Sequence, residues 1–165
     1  MSKSLDDLKA GFAGESQANR KYIAFARKAD EEGFPQVARL FRAVAHAETF
    51  HALNHFRAMG EVKMTTDNIK TAIAGEHYEA TVMYPEFIAD AQAEGEKKAL
   101  NSFRWAFEVE KVHEVLYSNA LETLGQPGDT FDYYVCPFCG YTHERGAPEK
   151  CPVCGTPGTK FERIS

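Results

Sequence analysis

The chain has 165 residues, 44% hydrophobic and 26% charged, with a formal net charge of −5, enough for one modest core and a small appendage. Its basic residues are scattered rather than gathered into a patch, which argues against a nucleic-acid partner. No stretch approaches the ~20 apolar residues of a membrane span, and residues 1–14 carry no apolar run of an export signal, so no membrane partner and a cytoplasmic location are expected.

In chain order, the first helix begins near Ser4, with Asp6 and Asp7 in its opening turn, and stops at Gly33. Pro35 suits the first turn of a second helix, which runs to Gly60. Thr66 or Asp67 can cap a third that continues to Glu94 and Gly95, and Pro85 should kink it or mark an irregular turn. The fourth starts near Glu96 and ends at Gly125. Four helices of this length predict an all-α four-helix bundle over residues 1–125. Residues 126–130 read as a linker. Residues 131–165 are rich in Pro, Gly, Tyr and Cys, without helical period, and 131–135 look like a strand. So small a unit needs a staple to fold.

Apolar residues follow each helix at steps of three and four. On every helix an acid interrupts the stripe near its middle. Glu15 follows Leu8 and Phe12; Glu48 and His51 follow Leu40 and Val44. Glu76 and Glu79 follow Ile69 and Ile73; Glu110 and His113 follow Phe103 and Phe107. Burying five carboxylates together is costly unless something positive sits among them. In Glu48-Thr-Phe-His51 and Glu110-Lys-Val-His113 the i, i+3 spacing puts acid and imidazole on one helical face. Two Glu-x-x-His units plus a Glu from each of the other two helices form the ligand set of carboxylate-bridged two-metal bundles. Oxygen ligands with a little imidazole suit Fe or Mn better than Zn or Cu.

The pattern is doubled: Glu15 to Glu48 is 33 positions and Glu76 to Glu110 is 34. A two-helix unit with one Glu and one Glu-x-x-His cannot close such a site alone, so the halves must pair within one chain or be exchanged between chains. His46, His55, His77 and His143 lie off the matched positions or lack a partner acid. Of these, His55, one turn beyond His51, is the best placed to support a ligand.

All four cysteines fall in two Cys-x-x-Cys units, Cys136/Cys139 and Cys151/Cys154, with 11 residues between Cys139 and Cys151. In a chain without an export signal such units are metal knuckles rather than disulfides. Gly140 and Gly155 follow the knuckles where positive φ lets backbone amides point at sulfur. Four thiolates fit Fe or Zn, and spacing does not choose between them. A redox two-metal site in the same chain needs an electron supply, which an iron centre provides and a zinc ribbon does not.

These residues resemble the rubrerythrin family along essentially the whole chain. The resemblance rests on Gly11-Phe-Ala-Gly-Glu15-Ser-Gln-Ala, Ala47-Glu48-Thr-Phe-His51, and Glu76-His-Tyr-Glu79 with Met83-Tyr84-Pro85. Glu108-Val-Glu110-Lys-Val-His113 and Cys139-Gly140-Tyr141 complete it. It implies a ferritin-like bundle with a C-terminal rubredoxin-like domain. It implies two Fe held by Glu15, Glu48, His51, Glu76, Glu79, Glu110 and His113, and one Fe, or Zn in some preparations, held by the cysteines. By resemblance Glu79 ligates in the oxidised form and His51 in the reduced form, and Tyr22 and Tyr84 lie beside the site.

The implied activity is a non-haem di-iron peroxidase of oxidative-stress defence, reducing H2O2 to two waters. Glu48 and Glu110 would bridge, Glu15 and Glu76 would be terminal, and an external reductase or rubredoxin would reload the cysteine iron. The cysteine unit hangs from a helix about 40 Å long at ~1.5 Å per residue, too far from mid-bundle for fast transfer within one chain. A head-to-tail homodimer is therefore expected, with helix pairs exchangeable through the segment from Gly60 to Thr66. The rival readings are a ferritin-like iron-oxidising or iron-binding protein, and a di-iron oxidase with a structural zinc ribbon.

Overall fold

The computed structural model describes residues 2–165 and divides at Lys63/Met64 into two compact units. In the first unit, α1 (Lys3–Glu31) and α2 (Pro35–Ala58) form a hairpin. Ser2 caps α1, its hydroxyl accepting from the Leu5 amide, and Pro35 opens α2 where a missing N–H costs nothing. The pair is antiparallel. Phe12 stacks on Phe56 at 4.9 Å between ring centres, Asn19 reaches Ala45, and Asp30 binds Arg42 at 2.7 Å. Small residues line the seam: Ala26, Ala29, Ala38, Ala45 and Ala52 are buried.

The second unit contains α3 (Thr65–Tyr78), α4 (Tyr84–Glu94) and α5 (Lys97–Glu122). Met64, rather than Thr66 or Asp67, precedes α3, and its carbonyl accepts the Asp67 and Asn68 amides. The irregularity expected at Pro85 is a π-turn over Glu79–Met83, in which the Tyr84 amide bonds back to the Glu79 carbonyl. Pro85 cannot donate the next helical bond, so the extra residue is absorbed ahead of it. α3 and α4 run antiparallel to α5, with His77 against Glu114 and Phe87 against Phe103 at 5.4 Å.

The rest of this unit is a three-stranded antiparallel sheet, ordered β2 (Thr142–Glu144), β1 (Tyr133–Val135), β3 (Glu162–Ile164), with Tyr133 paired to both Glu144 and Ile164. Two equivalent knuckles hang from it. Cys136 N–H bonds Tyr141 O and Gly140 N–H bonds Cys136 O; Cys151 N–H bonds Thr156 O and Gly155 N–H bonds Cys151 O. Gly140 and Gly155 take the expected positive φ, 83° and 78°. Among the described residues no helix is long and apolar enough to cross a membrane.

Candidate metal centres

Three groups of side chains among the described residues could each hold a metal ion, their ligand atoms lying within 4.8 Å of one another. Glu15 on α1 with Glu48 and His51 on α2 is the first; His51 Nδ1 lies 2.7 Å from Glu48 Oε2. Glu48 is 14% exposed and His51 57%, so the imidazole stands at the rim of its own helix pair. Glu76 on α3 with Glu110 and His113 on α5 is the second. His113 Nδ1 lies 2.8 Å from Glu110 Oε2 and 3.9 Å from Glu76 Oε2. In both triads Nδ1 is the nitrogen turned to the acids, because i, i+3 spacing brings the near side of the ring over the preceding turn.

The acids of the second triad are crowded. Burial first, then the hydrogen bond and charge of Glu110, push the Glu76 carboxyl up to about 7, against the opposing charge of His113. Glu79, at the head of the π-turn, stands outside the triad, yet burial and the Glu110 charge push its carboxyl up as well. The hydrogen bond to Glu110 raises His113, opposed by burial. A carboxylate that holds its proton near neutrality because it is buried and faces another carboxylate would be relieved by a cation. Carboxylates with imidazole are the donors iron prefers.

Tyr84 lies close enough to Glu110, Glu79 and Glu76 that burial and their charges raise its phenol. Tyr22 lies in the first unit, flanked by Phe41 at 6.1 Å and Phe25 at 6.3 Å between ring centres.

The third group is Cys136, Cys139, Cys151 and Cys154, with no disulfide. Cys136 Sγ is 3.6 Å from Cys154 Sγ, and Cys139 Sγ is 3.5 Å from Cys151 Sγ, a spacing at which one ion can bind all four. Burial pushes the Cys139 thiol up. At Cys154 burial is outweighed by hydrogen bonds from Thr156, which hold the thiol down to about 6.

The family is decided by the match along the chain. A family model for rubrerythrin matches residues 6–121, and one for the rubrerythrin rubredoxin-like domain matches residues 134–162. The chain belongs to the rubrerythrin family. Rubrerythrin-2 of Clostridium acetobutylicum is 34% identical, over 95% of this chain and 94% of that protein. Nigerythrin of Nitratidesulfovibrio vulgaris is 38% identical, over 96% and 85%. Among solved structures, fully reduced, all-ferrous nigerythrin aligns with a TM-score of 0.60 at 36% identity, over 99% of this chain and 88% of that one. The ferritin-like helical fold and the rubredoxin-like appendage agree with this membership. Rubrerythrins are redox proteins with a di-iron site and a rubredoxin-like iron, and the donor sets present here suit both.

Two expectations are corrected. The cysteine module does not hang beyond the far end of α5: the chain doubles back, and Thr142 Oγ1 lies 3.1 Å from His113 Nε2. Its distance from the second triad therefore gives no reason for a head-to-tail dimer. His77, one of the four histidines expected to lie off the matched positions or to lack a partner acid, has one: its Nδ1 lies 2.9 Å from Glu114 Oε1, a pairing across two helices that spacing along one helix cannot reveal. His46 packs edge-on to Phe50, and His143 Nδ1 faces the carbonyls of Glu144 and Gly146. Sequence reasoning missed Thr142, which carries no motif of its own. It also missed Asn19, whose amide donates to Ala45 O at 2.6 Å and Thr49 Oγ1 at 2.9 Å, one turn from Glu15.

Proposed function

We propose that this protein reduces hydrogen peroxide to water at a two-iron centre, drawing electrons one at a time from iron held by the four cysteines. The observation that carries the reading is the pair of matching triads, each one Glu plus one Glu-x-x-His, in a chain that also gathers four thiols. Each triad supplies three ligands, and the bundle-type centre needs both sets. Glu15 and Glu76 would serve as terminal ligands, Glu48 and Glu110 as the acids shared by the two metals, and His51 and His113 as nitrogen ligands. By likeness to the family, Glu79 would take the place of His51 as a ligand in the oxidised form. Residues 1–125 act as the iron-binding helical part and 131–165 as the electron-donating part.

The balance is H2O2 plus two electrons and two protons giving two waters. Iron held by these ligands would supply the two electrons and polarise the substrate oxygens. Tyr84, its phenol kept protonated by burial and the facing acids, can donate a hydrogen bond toward them, and Tyr22 serves the same role from α1. The doubled Glu plus Glu-x-x-His pattern fits a homodimer in which helix pairs are shared between copies. An external reductase or rubredoxin in the cytoplasm reloads the cysteine iron, as part of oxidative-stress defence.

The test is to reduce the iron-loaded protein anaerobically and mix it separately with H2O2 and O2, following the cysteine-iron absorbance. Rapid reoxidation by peroxide and slow reoxidation by O2 is the expected result. Faster reoxidation by O2 would replace the peroxidase with an oxidase.

A further inference from the structure

Thr142 opens β2 with its hydroxyl 3.1 Å from the Gly140 carbonyl oxygen and 3.1 Å from His113 Nε2. Gly140, at positive φ, lies against α5: a Cβ built there would be 3.9 Å from Val109 Cγ1, and Val109 is buried one turn before His113. The first knuckle is thus seated on the helix that carries the Glu110/His113 pair. A hydroxyl has one hydrogen. With that hydrogen donated to Gly140 O, Thr142 Oγ1 can only accept from His113, which places the imidazole proton on Nε2. Nδ1, facing Glu110 at 2.8 Å and Glu76 at 3.9 Å, is then the nitrogen presented to a metal. A fixed outer partner of this kind sets the tautomer and ring orientation of a ligating histidine.

We propose that Thr142 is a positioning residue that locks His113 for metal binding and completes a hydrogen-bonded bridge within one chain. The bridge runs from Cys139 through the Gly140 carbonyl and the Thr142 hydroxyl to His113. This rests on the electron-supply reading above. In each passage one electron would leave iron held by the four cysteines, taking it from ferrous to ferric, and reach iron held by the Glu and His ligands, taking it from ferric to ferrous. No bond is made or broken, and two passages replace the two electrons one peroxide removes.

Thr142→Val keeps the branched shape and removes the hydroxyl; Thr142→Ser keeps the hydroxyl. The first readout needs no turnover: ring 15N shifts of His113 in zinc-loaded, 15N-histidine-labelled protein, assigned by their loss in His113→Gln. The expected result is an Nε2–H signature in wild type and T142S, and a changed one in T142V. The second is stopped-flow mixing of fully reduced protein with limiting peroxide, in which oxidation of the pair precedes oxidation of the cysteine iron. In T142V the second phase should slow about 10- to 100-fold, the usual cost of losing a ligand's outer partner. T142S should restore most of the rate, and the rate should not depend on protein concentration. Hydrogen exchange at Val109 and Gly140 reports whether the knuckle stays seated. An unchanged second phase in T142V, or a slowed one accompanied by lost protection at those amides, would overturn the proposal. If peroxide oxidises neither centre, the peroxidase reading fails instead, and the 15N signature still decides the role of Thr142.

Discussion

A β-carbon placed on Gly11 of α1 would sit 3.0 Å from Cδ2 and 3.2 Å from Nε2 of His55 on α2. The glycine makes room for the imidazole one turn from both Glu15 and His51. Replacing a mid-helix glycine with alanine usually gains about 1 kcal/mol. Gly11→Ala should forfeit that gain, because the ring must yield by a few tenths of an ångström. Gly14→Ala, with nothing within 4 Å, should keep it. Thermal melts of the two metal-free variants should separate by a few degrees, G14A the higher; equal melting temperatures would refute the contact.

The acid cluster should leave a pH signature in metal-free protein. Glu76 is raised from 4.5 to about 7 and His113 is raised above 6.5. Both groups bind a proton more tightly folded than unfolded. Their stabilisation is complete below the unfolded values and is lost as pH rises through the folded ones. Urea midpoints should therefore fall from about pH 5 to about pH 8, and Glu76→Gln should flatten the fall. Iron reverses the trend, since its ligands must be deprotonated. The gap between loaded and metal-free protein should widen as pH rises.

Asn19 is the buried polar side chain of the first unit, and its Oδ1 has no partner among the described residues. Asn19→Ala removes two cross-helix hydrogen bonds but also that orphan oxygen. The net cost should be about 1–2 kcal/mol, read as a lower urea midpoint with an unchanged slope. A more stable variant would mean that the orphan outweighs the bonds.

The sheet has strands of only three residues, too little to fold without its metal. Cys151→Ser should abolish amide protection over residues 133–164 while the helices keep their circular dichroism. Retained protection would show that packing on α5 suffices.

Glu79→Ala should slow peroxide turnover while leaving the cysteine-iron absorbance intact. Glu79 stands outside the triad but close to Glu110. Unchanged turnover would remove it from the working ligand set.

Much of this was legible in the sequence because a helix is a local object. The i, i+3 spacing puts Glu110 beside His113 whatever α5 packs against, and the break of each apolar stripe by an acid marks where the triads lie. The knuckle glycines were legible too, since only glycine takes that φ without strain. The turn at Pro85 was foreseen as an irregularity, but its π form depends on how the following carbonyls are satisfied.

The helices and the ligand types were thus legible from neighbours within a few residues, and the four-cysteine cluster from two Cys-x-x-Cys units. Only the tertiary structure decided that the knuckle returns to α5, that Thr142 meets His113, and that Glu114 pairs with His77. Those contacts join positions 29 and 37 residues apart. No backbone period links such positions, and the path of the linker and the shape of the seated surfaces bring them together.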